Sequence, residues 1–302
     1  VLAICLSVYL TRRVARTNRE LELKLGEVEQ LTARTIEQER RAAREEAERR
    51  VLQADNARKT AELEEARQLQ LAMLPKELPQ LPDFDMAVHM TTANEVGGDY
   101  YDFATDGNGS CTLVVGDATG HGLHAGMVVG AAKSLFQTCS RETELSQVMQ
   151  RIETGLSAMH RREASMAMLL LRLRDRRLRV ASAGMPPVLV WRQKTGRVEE
   201  FMLPSVPLGT LSRSDYKQVE LDLLAGDTLL IMTDGLAEVS SPAGDLMGYD
   251  KATELFSRVA HLDPEPAIAQ LLELTATFRD GTPLEDDMTL VMLKARSSPG
   301  LD

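Results

Sequence analysis

Between Asn18 and Met73 the chain carries one glycine, Gly26, and no proline; its first proline is Pro75. The stretch is dense in Glu, Arg, Ala, Gln and Leu, which lose little freedom in a helix. A run this long without a breaker predicts one extended helix. Pro75 ends it, because proline disfavours the helical conformation in the residue before it. Leu21, Leu25, Val28, Thr32 and Thr35 recur at alternating spacings of four and three, the seam of a coiled coil. The seam fades in ERRAAREEAERR, where a solvated helix is the plainer reading, and apolar spacing returns at Ala66, Leu69 and Met73. Residues 12–74 are therefore expected to form a helical stalk that pairs with a second copy into a parallel homodimer.

The first ten residues, VLAICLSVYL, are apolar apart from Ser7 and Tyr9, and Arg12, Arg13 and Arg16 follow at once. Ten residues cannot cross a bilayer, which needs about 20. Residues 1–11 are read as the C-terminal part of a transmembrane helix, with the arginines on its cytoplasmic side. A short frayed helix end is the alternative.

Beyond the stalk, residues 75–83 form a proline-rich linker. The pattern then changes to short β-type runs: FDMAVHM, CTLVVGD, SMAMLLLRL, RLRVASA, VLVWR, TLLIMTD and finally MTLVML. Helical patterns cover His121 to Thr138, Glu144 to Met159 and Pro264 to Phe278. Strands and helices come in blocks, which predicts an α+β domain over residues 84–296 with mainly antiparallel sheets covered by helices, and a tail at 297–302. Residues 75–302 carry 21 basic and 32 acidic side chains. So acidic a body argues against nucleic acid as a partner, since phosphate backbones need a positive face. Cys5, Cys111 and Cys139 share no ligand spacing and suggest no disulfide framework.

The chemistry lies where aspartates interrupt apolar runs. Asp99 sits in EVGGDYYDF. Asp117 ends CTLVVGD and precedes ATGHG. Asp234 ends TLLIMTD before Gly235, and Asp286 and Asp287 open MTLVML. One carboxylate at a strand end is usually a turn residue. Four such clusters beside glycines at the edges of apolar strands are harder to explain that way, because gathered carboxylates repel one another unless cations bind them. Hard oxygen ligands suit Mg²⁺ or Mn²⁺ rather than zinc. The carbonyl of Ala118 is a further candidate ligand, and Gly97, Gly98, Gly116, Gly120 and Gly122 would let the backbone approach closely.

The ordered segments ARQLQLAMLP, EVGGDYYDF, VGDATGHG, ASAGMPP, PLG at Pro207 to Gly209, TLLIMTDGLAEV and DDMTLVML resemble the PPM protein phosphatases, in particular the bacterial branch similar to SpoIIE and RsbU. The resemblance covers about residues 66 to 295. It implies an α-β-β-α sandwich, the PPM phosphatase fold, with a metal site at one end between the sheets. It implies two Mn²⁺ or Mg²⁺ ions and hydrolysis of a phosphoserine or phosphothreonine on a protein, typically an anti-sigma-factor antagonist. Asp117 matches the aspartate that bridges two metals and Ala118 the position that lends its carbonyl. Asp234 and Asp286 match the other direct ligands. Asp99 matches an acidic residue of the metal shell, and Asp287 a position that is often Asn in the wider family. Glu95 is a weaker outer candidate. Met185 stands where this branch often has His, so any role of that side chain is lost. The catalytic domain is expected in the cytoplasm, anchored through the N-terminus to a bacterial inner membrane.

The reaction expected is direct attack by a metal-activated water without a phospho-enzyme, which fits the lack of an obvious activated cysteine. Catalytic residues are expected to be Asp117, Asp99 and His121, His121 as general acid toward the leaving oxygen or, alternatively, as a helix cap. A catalytically inactive PPM-like binding module is the rival reading. GGD as part of a diguanylate cyclase fails, because Tyr100 and Tyr101 follow instead of Glu-Phe. The basic run Arg172, Arg174, Arg176, Arg177 and Arg179 reads first as a solvated hairpin and second as a docking surface for an acidic phosphoprotein.

Overall fold

A computed structural model of the chain describes residues 2–93, 96–106, 109–120, 122–159, 165–174, 177–210 and 215–297. The chain divides into two compact units, Val1–Ala61 and Glu62–Asp302. Helix α1 (Leu2–Met73) fills the first unit and contributes its last turns to the second.

Within the first unit the apolar positions of the expected seam face solvent, with Leu21, Leu25 and Val28 exposed by 68%, 61% and 58%. Ion pairs one turn apart, such as Arg41 with Glu37 at 2.6 Å and Lys59 with Asp55 at 2.8 Å, run along the helix. Each adds only about 0.2–0.5 kcal/mol. Among the described residues, no helix is long and apolar enough to cross a membrane. The residues expected to end a transmembrane helix form the start of α1, which runs on from Leu10 into Thr11, Arg12 and Arg13 as exposed surface.

The second unit is a sandwich of two five-stranded antiparallel sheets. Its strands are β1 (Phe84–Thr91), β2 (Asp99–Thr105), β3 (Cys111–Ala118), β4 (Met166–Arg174), β5 (Arg177–Ala183), β6 (Val188–Arg192), β7 (Arg197–Phe201), β8 (Gln218–Asp222), β9 (Thr228–Met232) and β10 (Met288–Ala295). One sheet has the order β1-β10-β9-β6-β7 and the other β2-β3-β4-β5-β8. Helices α2 (Leu123–Cys139) and α3 (Leu145–Ser157) cover the second sheet; α4 (Gly248–Val259) and α5 (Pro264–Arg279) cover the first.

Strand periodicity explains the three-layered core. Successive side chains point to opposite faces. On β3, Leu113 and Val115 enter the layer between the sheets, where they meet Ile231 and Val291, while Val114 packs with Val128 and Ile152 under the helices. Because both faces of the central strands are covered, these strands are apolar at nearly every position. Met185 lies in the layer between the sheets, 5% exposed. Cys111 and Cys139 are buried and free.

Candidate metal centre

Asp99 and Asp117 stand directly opposite each other on the β2–β3 ladder. Opposite residues share a face, with Cβ atoms about 4.5–5.5 Å apart. That face is the one that carries Leu113 and Val115, so both carboxylates enter the end of the gap between the sheets. The first sheet supplies the rest. Thr233 follows β9, Asp234 opens the short 3₁₀ turn Asp234–Leu236, and Asp286 and Asp287 precede β10.

Asp99 is 1% exposed, and two threonines of the opposite sheet hold one of its oxygens. Thr233 Oγ1 donates to Asp99 Oδ2 at 2.9 Å and Thr289 Oγ1 to the same atom at 2.5 Å. The other oxygen, Oδ1, is buried and has no hydrogen-bond partner. Burial, and then the charge of Asp117, push the Asp99 carboxyl well above the usual range against the pull of the two hydroxyls. Asp117 is pushed up to about 8 by burial and by the charges of Asp234, Asp286, Asp287 and Glu238. Burial also raises Asp234 and Glu238, and Glu238 feels Asp234 and Asp286 as well.

Asp287 has a different employment. It is 4% exposed, its Oδ1 accepts the Ala93 N–H at 2.8 Å, and its Oδ2 accepts the Gly98 N–H at 2.6 Å. It clamps the loop before β2 rather than turning both oxygens toward a cation. Asp286 Oδ1 accepts the Asp287 N–H at 2.8 Å. Gly98 is pressed against the centre: a Cβ there would lie 2.5 Å from the Ala118 carbonyl oxygen and 2.8 Å from Asp117 Oδ1. The Ala118 N–H donates to Gly98 O at 2.9 Å, which ties the two segments together. At Gly235 a Cβ would stand 1.8 Å from the Asp287 carbonyl.

Gln70, near the end of α1, is 4% exposed, and sequence reasoning missed it. Its side-chain amide bonds both backbone groups of Gly97, within the second unit. Thr233, Thr289 and Glu238 were likewise not singled out, although Thr233 and Thr289 flank the motif aspartates in TDG and DDMT. His121 and Glu95 lie outside the described residues.

The donor set suits a hard divalent cation. Among the described residues, no group of three or more His, Cys, Asp or Glu side chains closes into a ready-made cage. Magnesium does not require one, since it keeps several waters and takes one or two carboxylates. An unpartnered buried carboxylate oxygen on Asp99, and an Asp117 whose affinity for protons is raised by burial and by four neighbouring acids, are relieved by a cation. Asp117, Asp234, Asp286 and the Ala118 carbonyl could hold it.

A family model described as "Stage II sporulation protein E (SpoIIE)" matches residues 107–296. The chain is 24% identical to phosphoserine phosphatase RsbU of Bacillus subtilis (strain 168) over 242 residues, 78% of this chain and 70% of that protein. Among solved structures it is similar to the SiaA-PP2C domain of Pseudomonas aeruginosa, with TM-score 0.70 and 19% identity over 80% of this chain and 98% of that one. It is also similar to RsbX in complex with magnesium, with TM-score 0.55 and 15% identity over 72% of this chain and 98% of that one.

Proposed function

The chain belongs to the SpoIIE family of PPM-type serine/threonine phosphatases, and from that premise we propose that it removes phosphate from a phosphoserine or phosphothreonine of a regulatory protein of the anti-sigma-factor antagonist type, in the cytoplasm. The observation that carries the reading is the meeting of Asp99 and Asp117 from one sheet with Asp234 and Asp286 from the other around an unpartnered carboxylate oxygen.

In this proposal Asp117, Asp234, Asp286 and the Ala118 carbonyl hold two Mn²⁺ or Mg²⁺ ions. Such ions, when bound, acidify a water and neutralise phosphoryl oxygens. The chain's own contribution is positional. Thr233 and Thr289 fix Asp99 in one orientation, Asp287 fixes the loop that carries Gly97 and Gly98, and Gly98 leaves the room that Asp117 needs. His121, three residues after β3, is the proposed proton donor to the leaving serine or threonine oxygen.

The exposed apolar positions of α1 support pairing with a second copy. Movement of that helix would reach the centre through Gln70 and Gly97, so the stalk is proposed as the regulatory input. Membrane attachment through residues 1–11 has no support from the described helix.

The test is phosphate release from a phosphorylated antagonist and from p-nitrophenyl phosphate with Mn²⁺, repeated with Asp117→Asn. Equal rates for the two proteins, or no metal-dependent hydrolysis at all, rule the enzyme out and leave the inactive binding module.

A further inference from the structure

At the end of the second sheet remote from the aspartates lies a cavity of about 740 Å³ between the β4–β5 hairpin and the loop that joins α2 to α3. Among the described residues, five arginines line it: Arg141, Arg172, Arg174, Arg177 and Arg179. Four of them face each other across the hairpin, Arg172 opposite Arg179 and Arg174 opposite Arg177. Like charges directly opposite on a ladder destabilise it. Here that happens twice in succession, in a chain with a net charge of −10.

The internal acids answer only part of this charge. Arg179 pairs with Glu220 at 3.2 Å and with Glu144 at 3.8 Å. Arg172 is used structurally: it donates to Thr112 Oγ1 at 2.9 Å and to the carbonyls of Ser140, Glu142 and Thr143 at 2.6–2.8 Å. Burial and then the nearby Arg179 charge hold its affinity for protons down. Arg141 and Arg177 are exposed and make no ion pair or side-chain hydrogen bond with the described residues. Both line the same cavity.

From this geometry we infer that the cavity is a binding site for a compact phosphate-bearing anion, distinct from the phosphate-releasing centre. Guanidinium forks match the oxygens of a phosphoryl group and hold it with charge-assisted bonds. Among the described residues no aromatic side chain lines the cavity, so recognition rests on charge rather than on stacking. Asp106, Glu142 and Glu220 also line it, but Glu220 is already paired with Arg179 and Glu142 with Arg151. Asp117 and Thr112 lie five residues apart on β3, which puts about 17 Å between the two sites.

The experiment is calorimetric titration of inorganic pyrophosphate into the full chain in EDTA and low salt, where the metal-free carboxylates repel anions. Wild type is expected to bind one equivalent. The double variant Arg141→Gln/Arg177→Gln is expected to bind at least roughly tenfold more weakly, through loss of charge-assisted bonds. Asp117→Asn is expected to bind as wild type does. Both side chains are exposed, make no ion pair or hydrogen bond with the described residues and lie remote from the metal centre, so the double variant should keep its circular dichroism and its Mn²⁺-dependent hydrolysis. A parallel ATP titration separates sources: equal affinity assigns the phosphate chain alone, and tighter binding assigns a nucleotide. Absence of pyrophosphate binding, binding that survives the double variant, or tighter binding of poly-glutamate than of pyrophosphate overturns the proposal.

Discussion

Gln70 and Gly97 hold each other by two hydrogen bonds: Gln70 Nε2 donates to Gly97 O at 2.7 Å, and the Gly97 N–H donates to Gln70 Oε1 at 3.1 Å. The next residue, Gly98, donates to Asp287 and presses on Asp117 and Ala118. Three consecutive contacts thus lead from the last turns of α1 to the residues proposed to hold metal.

Gln70→Ala leaves the buried N–H and C=O of Gly97 without partners, at a cost of about 1–3 kcal/mol for each unsatisfied group. The expected result is a lower melting temperature and roughly a tenfold rise in the Mn²⁺ concentration needed for half-maximal hydrolysis. Gln70→Glu can still accept the Gly97 N–H but cannot donate to its carbonyl, so it should fall between wild type and alanine. A metal titration identical for all three proteins would remove Gln70 from the positioning of the centre.

Gly98→Ala forces a methyl group to within 2.5 Å of the Ala118 carbonyl oxygen and 2.8 Å of Asp117 Oδ1. Both are groups proposed to face metal, and the ladder holds both in place. Hydrolysis is expected to drop by at least about a hundredfold, because misplacement of about 1 Å carries that penalty. Far-ultraviolet circular dichroism should stay at wild-type intensity, since the contact lies at the end of the sheet.

Asp117→Asn puts a permanently neutral side chain where the metal-free fold must hold a carboxyl protonated below about pH 8. In metal-free buffer the variant should melt at a higher temperature than wild type. Adding Mn²⁺ should stabilise wild type and leave the variant nearly unchanged. Opposite signs in the two conditions separate a metal-holding carboxylate from one that merely supports the fold; a variant less stable than wild type in EDTA would contradict the geometry.

Acidity supplies an independent check. The folded value of Asp117, about 8, lies above its unfolded value, so the metal-free fold loses stability as pH rises from about 4 to 8. Asp99, Asp234 and Glu238 shift in the same direction. His89, whose affinity for protons burial lowers, contributes only below its ordinary range near 6.5. Between pH 6.5 and 8, therefore, the melting temperature in EDTA should fall as pH rises. A cation must displace the Asp117 proton, so apparent Mn²⁺ affinity should weaken by about tenfold for each unit below pH 8. A flat Mn²⁺ profile across that range would refute the assignment.

Thr289→Val deletes the shorter of the two hydroxyl contacts to Asp99 and leaves a methyl in its place. Asp99 should then rise further in affinity for protons, and the acid limb of the pH–rate profile should move to higher pH. Thr289→Ser should restore it, which a loss of packing alone would not allow.

Much of the sandwich was readable from apolar runs, because strands covered on both faces leave few polar interruptions. β3, β4, β5, β6, β9 and β10 fall where those runs lie. β7 and β8 escaped because they are edge strands, RVEEF and QVELD, with exposed charges and little alternation. β2 was masked by its two aspartates, and α4 by a start at Gly248. At the centre, aspartates beside glycines were legible since few other arrangements need both. Gln70 was not: a buried polar residue in a helix full of polar residues carries no local signature, and its partner is 27 positions away. The clamp by Asp287 was equally hidden, for it depends on which way a carboxylate turns once two distant segments have met.

The two sheets of the sandwich each bring their own aspartates to the gap, and Thr233 and Thr289 reach across it to Asp99. The layers therefore act like the jaws of a calliper whose opening sets the spacing between carboxylates. Any shear of one jaw against the other, from substrate, neighbouring chain or temperature, would be read out as a change in grip on the ion before any bond to phosphorus is touched.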